Sequence, residues 1–314
     1  MKIAIIGTGS VGSTIAYTLA LSSLTEQIIL IDINKERSLA EALDISHAMT
    51  FSYNTNIISG DYSDLKDVNI IIITAGANQK KGETRIDLLN KNLNLFKEII
   101  PNIKKHAHNF PIIIVATNPV DIMTEVTLKL LQYPTSKVIG TGTVLDSARF
   151  KSTLGAYLDI SPFSIQANVI GEHGDSEVLL WSSITSGSTH INNIASALGK
   201  KIDSNTKQDI DKAVRFSAYE IIKGKGATYY GIASAILHII NSIITNNHAI
   251  LNISSHHKNS LGKLCYSMPT IIGKNGIIQT LIPNMNETER QELIKSIKTL
   301  STHTQNALSL LKQK

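Results

Sequence analysis

Two short polar segments in the middle of the chain carry an imidazole, a carboxylate and a guanidinium. Gly171–Asp175 contains His173, and Leu145–Phe150 contains Asp146 and Arg149. A histidine oriented by an aspartate can give or take a proton near neutral pH, and an arginine can bind a carboxylate through two parallel hydrogen bonds. These residue types together predict proton-coupled chemistry on a small 2-oxo or 2-hydroxy acid.

The first 32 residues have the pattern of a dinucleotide-binding unit. A strand pattern ends at Gly7, and Gly9 and Gly12 follow before a helical pattern. The three glycines allow a tight turn, close approach of the backbone to a pyrophosphate, and close packing of helix on strand. Asp32, at the end of the next strand pattern, can accept hydrogen bonds from ribose hydroxyls and would repel a 2′-phosphate. The pattern therefore predicts NAD rather than NADP. In the alternative interpretation, Asp32 is only a helix N-cap.

Two more polar segments follow predicted strands. One begins at Gly76 and ends at Arg85, with a second glycine between them, which favours a mobile lid that delivers Arg85 on closure. The other is Thr117–Asp121, in which Asn118 can bond to ribose and substrate oxygens. Because ligands bind at the carboxyl edge of parallel sheets, both segments are candidates for the site. The alternatives are a solvated arginine in a helical first turn and an ordinary Asn-Pro turn.

Apolar runs and helical patterns alternate in the first part of the chain, which predicts a Rossmann-type, doubly wound parallel sheet. The predicted strands are residues 2–6, 27–31, 68–74, 111–116 and 137–139, and helices are predicted over 11–21, 35–49 and 87–106. Later runs are more polar, with strands predicted near 164–170, 263–270 and 276–281, and helices over 147–157, 205–224, 231–246 and from 286 onward. We therefore predict an NAD-binding domain at 1–143 and an α+β substrate-binding and catalytic domain at 144–314.

Composition narrows the class of protein. Hydrophobic residues make up 42% of 314 and charged residues 18%, which is ordinary for a globular enzyme. The net charge of +5 is scattered, so no nucleic-acid partner is expected, and an anionic small ligand suits it better. The chain opens on a strand pattern and has no long apolar run, so we expect no signal peptide, no membrane span and a cytoplasmic location.

The single cysteine, Cys265, excludes an internal disulfide and a four-thiolate metal site. We expect it to be a small buried apolar side chain outside any pairing with histidine. The sequence has no His-x-x-x-His pair or thiol cluster, so no metal site is predicted.

Five motifs in order and spacing make the chain resemble the NAD-dependent L-lactate dehydrogenases of the lactate/malate dehydrogenase family. They are residues 79–85, 117–121, 146–150, 171–177 and 226–231, and the resemblance covers essentially the whole chain. It implies interconversion of pyruvate and (S)-lactate with NAD, and a homotetramer. The sequence begins at its first strand pattern, so we expect no N-terminal arm like that of vertebrate members; other surfaces would then hold a tetramer, or a dimer in equilibrium with one.

The resemblance also implies a role for individual residues. His173 is similar to the family's proton donor, Asp146 to its partner, and Arg149 to the clamp on the substrate carboxylate. Arg85 resembles the loop residue that polarises the carbonyl. Asn118, whose bond to Pro119 is expected to be cis, and Thr228 match substrate-site residues. The predicted cofactor site comprises Gly7, Gly9, Val11, Gly12, Asp32, Arg37, Gly76, Asn118 and Ile232.

Gln79 is the residue expected to decide the substrate. Family members that act on malate have an arginine at this loop position, which pairs with the second carboxylate. An amide cannot neutralise that charge, so closure over oxaloacetate would bury an unpaired carboxylate, at a cost of several kcal/mol or about three orders of magnitude in rate. Gln79 therefore favours pyruvate over oxaloacetate.

The chain differs from many bacterial family members at two positions that are linked to regulation. Many bacterial family members are activated by fructose bisphosphate and carry an arginine and a histidine where this chain has Lys151 and Gln166. A lysine can still attract phosphate, but glutamine brings no charge, so we expect weak or absent activation.

Three other functions are alternatives to the interconversion of pyruvate and lactate. The nearest is a dehydrogenase for malate or another L-2-hydroxy acid, which a substrate panel would separate. A non-catalytic sensor of NAD(H) would need the glycine loop and Asp32 but not His173, Arg149 and Arg85 together. An NAD-dependent glycosidase of similar fold would need a metal held by cysteine and histidine.

Overall fold

The computed structural model describes residues 1–51, 54–77, 85–259 and 262–312. Its strands are β1 (Lys2–Ile6), β2 (Gln27–Ile31), β3 (Asn56–Ser59), β4 (Ile70–Ile73), β5 (Ile112–Val115), β6 (Val138–Gly140), β7 (Ile165–Gln166), β8 (Val169–Ile170), β9 (Val178–Leu179), β10 (Thr185–Ser186), β11 (Thr189–His190), β12 (Ile250–Asn259), β13 (Gly262–Gly273) and β14 (Gly276–Thr280). Its α-helices are α1 (Ser10–Ser22), α2 (Lys35–Met49), α3 (Arg85–His106), α4 (Val120–Leu131), α5 (Val144–Leu158), α6 (Ile191–Ala197), α7 (Ser204–Lys225), α8 (Tyr230–Thr245) and α9 (Glu287–Lys312).

The main sheet has nine strands in the order β14-β13-β12-β6-β5-β4-β1-β2-β3. Strands β3, β2, β1, β4, β5 and β6 are parallel, and their order is that of a doubly wound nucleotide-binding sheet. The predicted fold class is confirmed. The hairpin β12–β13 continues the sheet antiparallel beside β6. Because one sheet crosses both predicted parts, the division of the chain at 143 and 144 stays a prediction.

Burial on both faces explains the unbroken isoleucine runs. All four residues of β4 are at most 1% exposed, and burying each such side chain contributes about 1.5–3 kcal/mol. Helices α1, α2 and α8 cover one face, while α3, α4 and α9 cover the other. A third apolar cluster joins α5, α6 and α7 to the short strands β7, β8 and β9.

Some predicted elements differ from the structure. The strand predicted near 164–170 is two short strands, β7 and β8, because they pair with different partners. The long strand β12 was not predicted, since its central residues, Ser254–Lys258, are polar. Its backbone pairs with β13 along the whole strand, and this pairing outweighs the weak local pattern. Among the described residues, no helix has the length and apolar character needed to cross a membrane.

Candidate active site

The glycine loop joins β1 to α1 at the carboxyl edge of the sheet. Gly7 has φ +101°, and a Cβ there would lie 2.5 Å from the backbone nitrogen of Ala75. A Cβ on Gly12 would lie 1.9 Å from the carbonyl oxygen of Gly7, so only glycine lets α1 pack this closely. A Cβ on Gly9 would meet nothing within 4 Å. The start of α1 therefore faces open space, where its N–H groups can bind a pyrophosphate.

Asp32, at the end of β2, is bonded to this loop. Its Oδ2 accepts from the Thr8 backbone N–H at 2.6 Å and from the Thr8 hydroxyl at 3.0 Å, and its Oδ1 accepts from the Asn34 N–H at 2.9 Å. Burial opposes ionisation, but these bonds outweigh it and lower the pKa of Asp32. Asn34, not Asp32, caps α2, so the N-cap alternative for Asp32 is wrong. The carboxylate suits an NAD ribose because carboxylate oxygens have lone pairs left to accept further bonds.

Two apolar side chains of the predicted cofactor site pack on one core cluster. Val11 on α1 and Ile232 on α8 are both partly buried against the core cluster on that face of the sheet. Arg37 lies in the first turn of α2, half exposed, with its Nε 3.8 Å from a Glu41 oxygen. Gly76 follows β4, where a Cβ would lie 2.8 Å from the Thr117 methyl carbon. The open glycine loop, the ionised Asp32 and these apolar side chains fit a dinucleotide.

Asp146 is a carboxylate buried in the first turn of α5. Its Oδ2 lies 2.6 Å from Nδ1 of His173, and its Oδ1 accepts from Nη1 of Arg149 at 2.8 Å. Burial disfavours the charged form of Asp146, but the charges and hydrogen bonds of these two partners lower its pKa. The structure therefore brings together the three residues that the sequence singled out first.

Asp146 also controls the state of His173. Burial disfavours an imidazolium, but the charge and hydrogen bond of Asp146 outweigh that effect and raise the pKa of His173 to about 9. At neutral pH the ring is therefore protonated. With Nδ1 bonded to Asp146, the Nε2 proton can be given to a substrate.

The His173 segment is held by its backbone. Gly171 exchanges two hydrogen bonds with Ser267 of β13, at 2.9 and 2.8 Å. The His173 N–H donates to Oδ2 of Asp121 at 2.7 Å. Asp121 is buried in the first turn of α4, and burial raises its pKa to about 6. The role of Asp121 was not predicted, although its place just after Asn118 and Pro119 at a strand end was a usable signal.

Two further buried polar residues were missed. Glu177 is buried, and burial together with the charge of Asp146 raises its pKa to about 8. Asn92 on α3 donates to the Asn118 carbonyl at 2.7 Å and accepts from the Ala77 N–H at 2.8 Å. Asn92 therefore joins two strand-end segments. Nothing local marks it, because its partners are 15 and 26 residues away in sequence.

The structure describes some of the remaining predicted site residues fully and others only in part or not at all. The Asn118–Pro119 peptide is cis, as expected. Thr228 is half-buried between α7 and α8. Arg85 is the first residue of α3, but its side chain lies outside the described residues, as does all of Gln79.

A doubly wound sheet with an open glycine loop, in a chain that also pairs a histidine with a buried aspartate, is typical of the class of NAD-dependent oxidoreductases. The family model for the lactate/malate dehydrogenase NAD binding domain matches residues 1–140, and that for the α/β C-terminal domain matches residues 143–310. The chain belongs to the lactate/malate dehydrogenase family. Its cofactor is NAD, as predicted.

Relatives and solved structures agree with this assignment. The L-lactate dehydrogenase of Allorhizobium ampelinum is 43% identical over 302 residues, covering 96% of this chain and 97% of that protein. The probable L-lactate dehydrogenase of Schizosaccharomyces pombe is 40% identical, covering 96% of this chain and 91% of the relative. The minor L-lactate dehydrogenase of Enterococcus mundtii, solved in a ligands-bound form, superimposes with a TM-score of 0.92 at 34% identity, covering 97% of this chain and 98% of that one. The predicted resemblance is confirmed.

Proposed function

We propose that this chain is an L-lactate dehydrogenase, which reduces pyruvate to (S)-lactate and catalyses the reverse reaction. The observation that carries the proposal is the bonding of one buried carboxylate, Asp146, to both His173 and Arg149. It puts a proton donor beside a cation that can hold a substrate carboxylate. Similarity to L-lactate dehydrogenases over nearly their full length supports it.

The proposed proton step uses the His173–Asp146 pair. The chemistry that NAD supplies when bound is hydride transfer to and from the second carbon of the substrate. His173 gives the Nε2 proton to the carbonyl oxygen of pyruvate, and takes it back from the hydroxyl of lactate. Asp146 keeps the Nδ1 proton in place and stabilises the charged ring.

Arg149 is proposed to hold the substrate carboxylate. A guanidinium has five N–H donors, and the bond from Nη1 to Asp146 uses one of them. The others can make the paired bonds that fix a carboxylate. Arg85 is proposed to polarise the carbonyl when its loop closes, with Asn118 and Thr228 as further substrate contacts.

The test compares pyruvate with oxaloacetate in NADH oxidation by the purified chain. We expect kcat/KM for pyruvate to be about a thousandfold higher, since Gln79 leaves the second carboxylate of oxaloacetate unpaired. Gln79→Arg should move the preference toward oxaloacetate. Lys80→Arg is the matched control, which should leave the preference unchanged. A wild-type chain that prefers oxaloacetate, or uses neither acid, would refute the proposal.

We further propose a cytoplasmic homotetramer. Support for assembly comes from large apolar side chains that are about half exposed on two helices: Leu39 and Leu43 on α2, and Phe216 and Ile222 on α7. Exposed apolar faces of this kind are typical of subunit interfaces. Light scattering after size-exclusion chromatography should give four times the 34.2 kDa chain mass, and a purely monomeric mass would exclude assembly.

A further inference from the structure

Three side chains with metal-ligating atoms meet between α4 and the β12–β13 hairpin. Glu125 lies on α4, and His256 and Cys265 are directly opposite each other on β12 and β13. A carboxylate oxygen, a ring nitrogen and the thiol sulfur all lie within 4.8 Å of one another. Oε2 of Glu125 is 2.8 Å from Nδ1 of His256 and accepts from Sγ of Cys265 at 3.2 Å. The expectation that Cys265 has no histidine partner is therefore wrong, because hairpin pairing brings together residues nine apart in sequence.

Burial makes this cluster unusual. Glu125 and Cys265 are each 1% exposed, whereas the His256 side chain is 17% exposed. A carboxylate that is removed from water needs a proton, a cationic partner or a metal ion. The partly exposed imidazole leaves one side of the cluster open to water and to an entering ion.

We propose that Glu125, His256 and Cys265 bind a zinc ion, with water as the fourth ligand. Thiolate, imidazole and carboxylate are the ligands that zinc takes, and a thiolate disfavours magnesium and calcium. Binding breaks the S–H bond of Cys265, forms a Zn–S bond and releases the proton to solvent. Two anionic ligands then neutralise the Zn²⁺ charge, so the buried site has no net charge.

Two of the three ligand contacts need little adjustment, and the third, between His256 and Cys265, is within 4.8 Å. Ligand atoms around tetrahedral zinc are about 3.3–3.7 Å apart at ordinary bond lengths. The present contacts of Glu125 Oε2, 2.8 and 3.2 Å, are shorter by about half an ångström or less. Small side-chain rotations on three elements would open the space.

A zinc ion here would act as a structural link. It would tie α4 to the hairpin, and both hold the His173 segment: α4 through Asp121, and β13 through the pairing of Ser267 with Gly171. We therefore expect chelation to lower the thermal midpoint of the purified chain, and added zinc to restore it.

The decisive measurement is zinc-edge X-ray absorption on the zinc-loaded wild-type chain. We expect one zinc per chain, with one sulfur at about 2.3 Å and nitrogen or oxygen at about 2.0 Å. Because the chain has a single cysteine, a thiolate sulfur in the zinc shell must be Cys265. A shell of nitrogen and oxygen alone would overturn the proposal.

Variants provide an independent test by elemental analysis after dialysis. Cys265→Ser and His256→Gln should lose the bound zinc. His257→Gln is the matched control: it is the next residue on β12, and its ring packs on Tyr266, with centroids 4.0 Å apart. Wild-type protein that retains no zinc and gives no cobalt–thiolate absorption on titration with Co²⁺ has only hydrogen bonds from His256 and Cys265 to Glu125. That result, or zinc retained by Cys265→Ser, refutes the site; if the variants do not fold, the wild-type absorption spectrum decides.

Discussion

One carboxylate, Asp146, accounts for most of the chemistry proposed for this chain. It is buried and lies between an imidazole and a guanidinium, so each contact stabilises a charge that burial would otherwise disfavour. Asp146 raises the pKa of His173, and His173 with Arg149 lowers that of Asp146. The protonation state of His173 is therefore a property of the pair and not of the ring alone.

This pairing predicts opposite pH profiles for the two directions. Pyruvate reduction needs the imidazolium, which is present below a pKa of about 9 and is lost as pH rises through it. The kcat/KM for pyruvate should therefore fall above about pH 9, while that for lactate should rise there. Initial rates measured across the pH range at saturating cofactor give the kcat/KM profile for each substrate.

Asp146→Asn should remove the cause of the raised pKa. Burial would then be opposed only by the smaller effects of the Asp121 and Glu177 charges on His173, so the break in the pyruvate profile should move to lower pH. The kcat/KM should fall by about 100- to 10,000-fold, the usual contribution of a positioned proton donor. An unchanged break in this variant would show that Asp146 does not set the pKa of His173.

Arg149→Lys should separate the contribution of the guanidinium's shape to kcat/KM from the contribution of its charge. Lysine keeps the positive charge but cannot make paired bonds to a carboxylate. We expect kcat/KM for pyruvate to fall by about a hundredfold, or about 3 kcal/mol. The affinity for NADH, measured by fluorescence titration, should stay the same. A comparable loss of NADH affinity would mean that the substitution disturbs the fold.

The junction of β1 and α1 is the proposed binding site of the cofactor pyrophosphate. The strand ends at a left-handed glycine, and the helix starts against its carbonyl, so the backbone N–H groups of the first turn face outward. This geometry depends on different glycines for different reasons. Gly12 is needed for packing, whereas the space beside Gly9 is open.

Alanine substitutions at these two glycines should therefore differ in their effect on thermal stability. Gly12→Ala puts a methyl group 1.9 Å from the Gly7 oxygen, so the thermal midpoint should drop by several degrees or more. Gly9→Ala meets nothing within 4 Å and should leave the midpoint nearly unchanged. It should still weaken NADH binding, by about tenfold or more, because the methyl group occupies the path of the pyrophosphate. Calorimetry and NADH titration of both variants would show whether the two effects separate.

Within the described residues, one nine-stranded sheet carries both the glycine loop and the contact to the segment of His173, the proposed proton donor. Strand β12 extends the parallel sheet beside β6, and β13 then carries the Ser267 contact to Gly171. The glycine loop and the His173 segment are thus attached to one sheet. Burial against helices on both faces keeps that sheet rigid, which a hydride acceptor and a proton donor require.

Regulation can be tested on the assembled protein. Lys151 is half-buried on α5, where burial lowers its pKa, and Gln166 is exposed on β7. With one weak cation and one neutral side chain, fructose bisphosphate should change the KM for pyruvate by less than about threefold. The double variant Lys151→Arg, Gln166→His should gain a response. A large fall in the wild-type KM would contradict this prediction.

Much of the site could be predicted because its signals are local. Each candidate segment, around Gly7, Asn118 and His173, follows an apolar strand or contains glycines that a close approach requires. The strand ends then indicate which segments meet, since parallel strands end at one edge. Specificity at Gln79 rests on a single side-chain charge, and that prediction awaits the substrate test.

The amino-acid order was sufficient for the parallel sheet and the glycine loop, because strand runs and glycine spacing are short-range properties. The pairing of His173 with Asp146, 27 residues apart, was expected from the chemistry of the two side chains and from the family resemblance. Only the folded chain decided the partners of Asn92 and Asp121, and the meeting of Glu125, His256 and Cys265. Those contacts join residues far apart in sequence or across a polar strand. Their cause is the packing of α4 and β13 around the sheet, which no local pattern encodes.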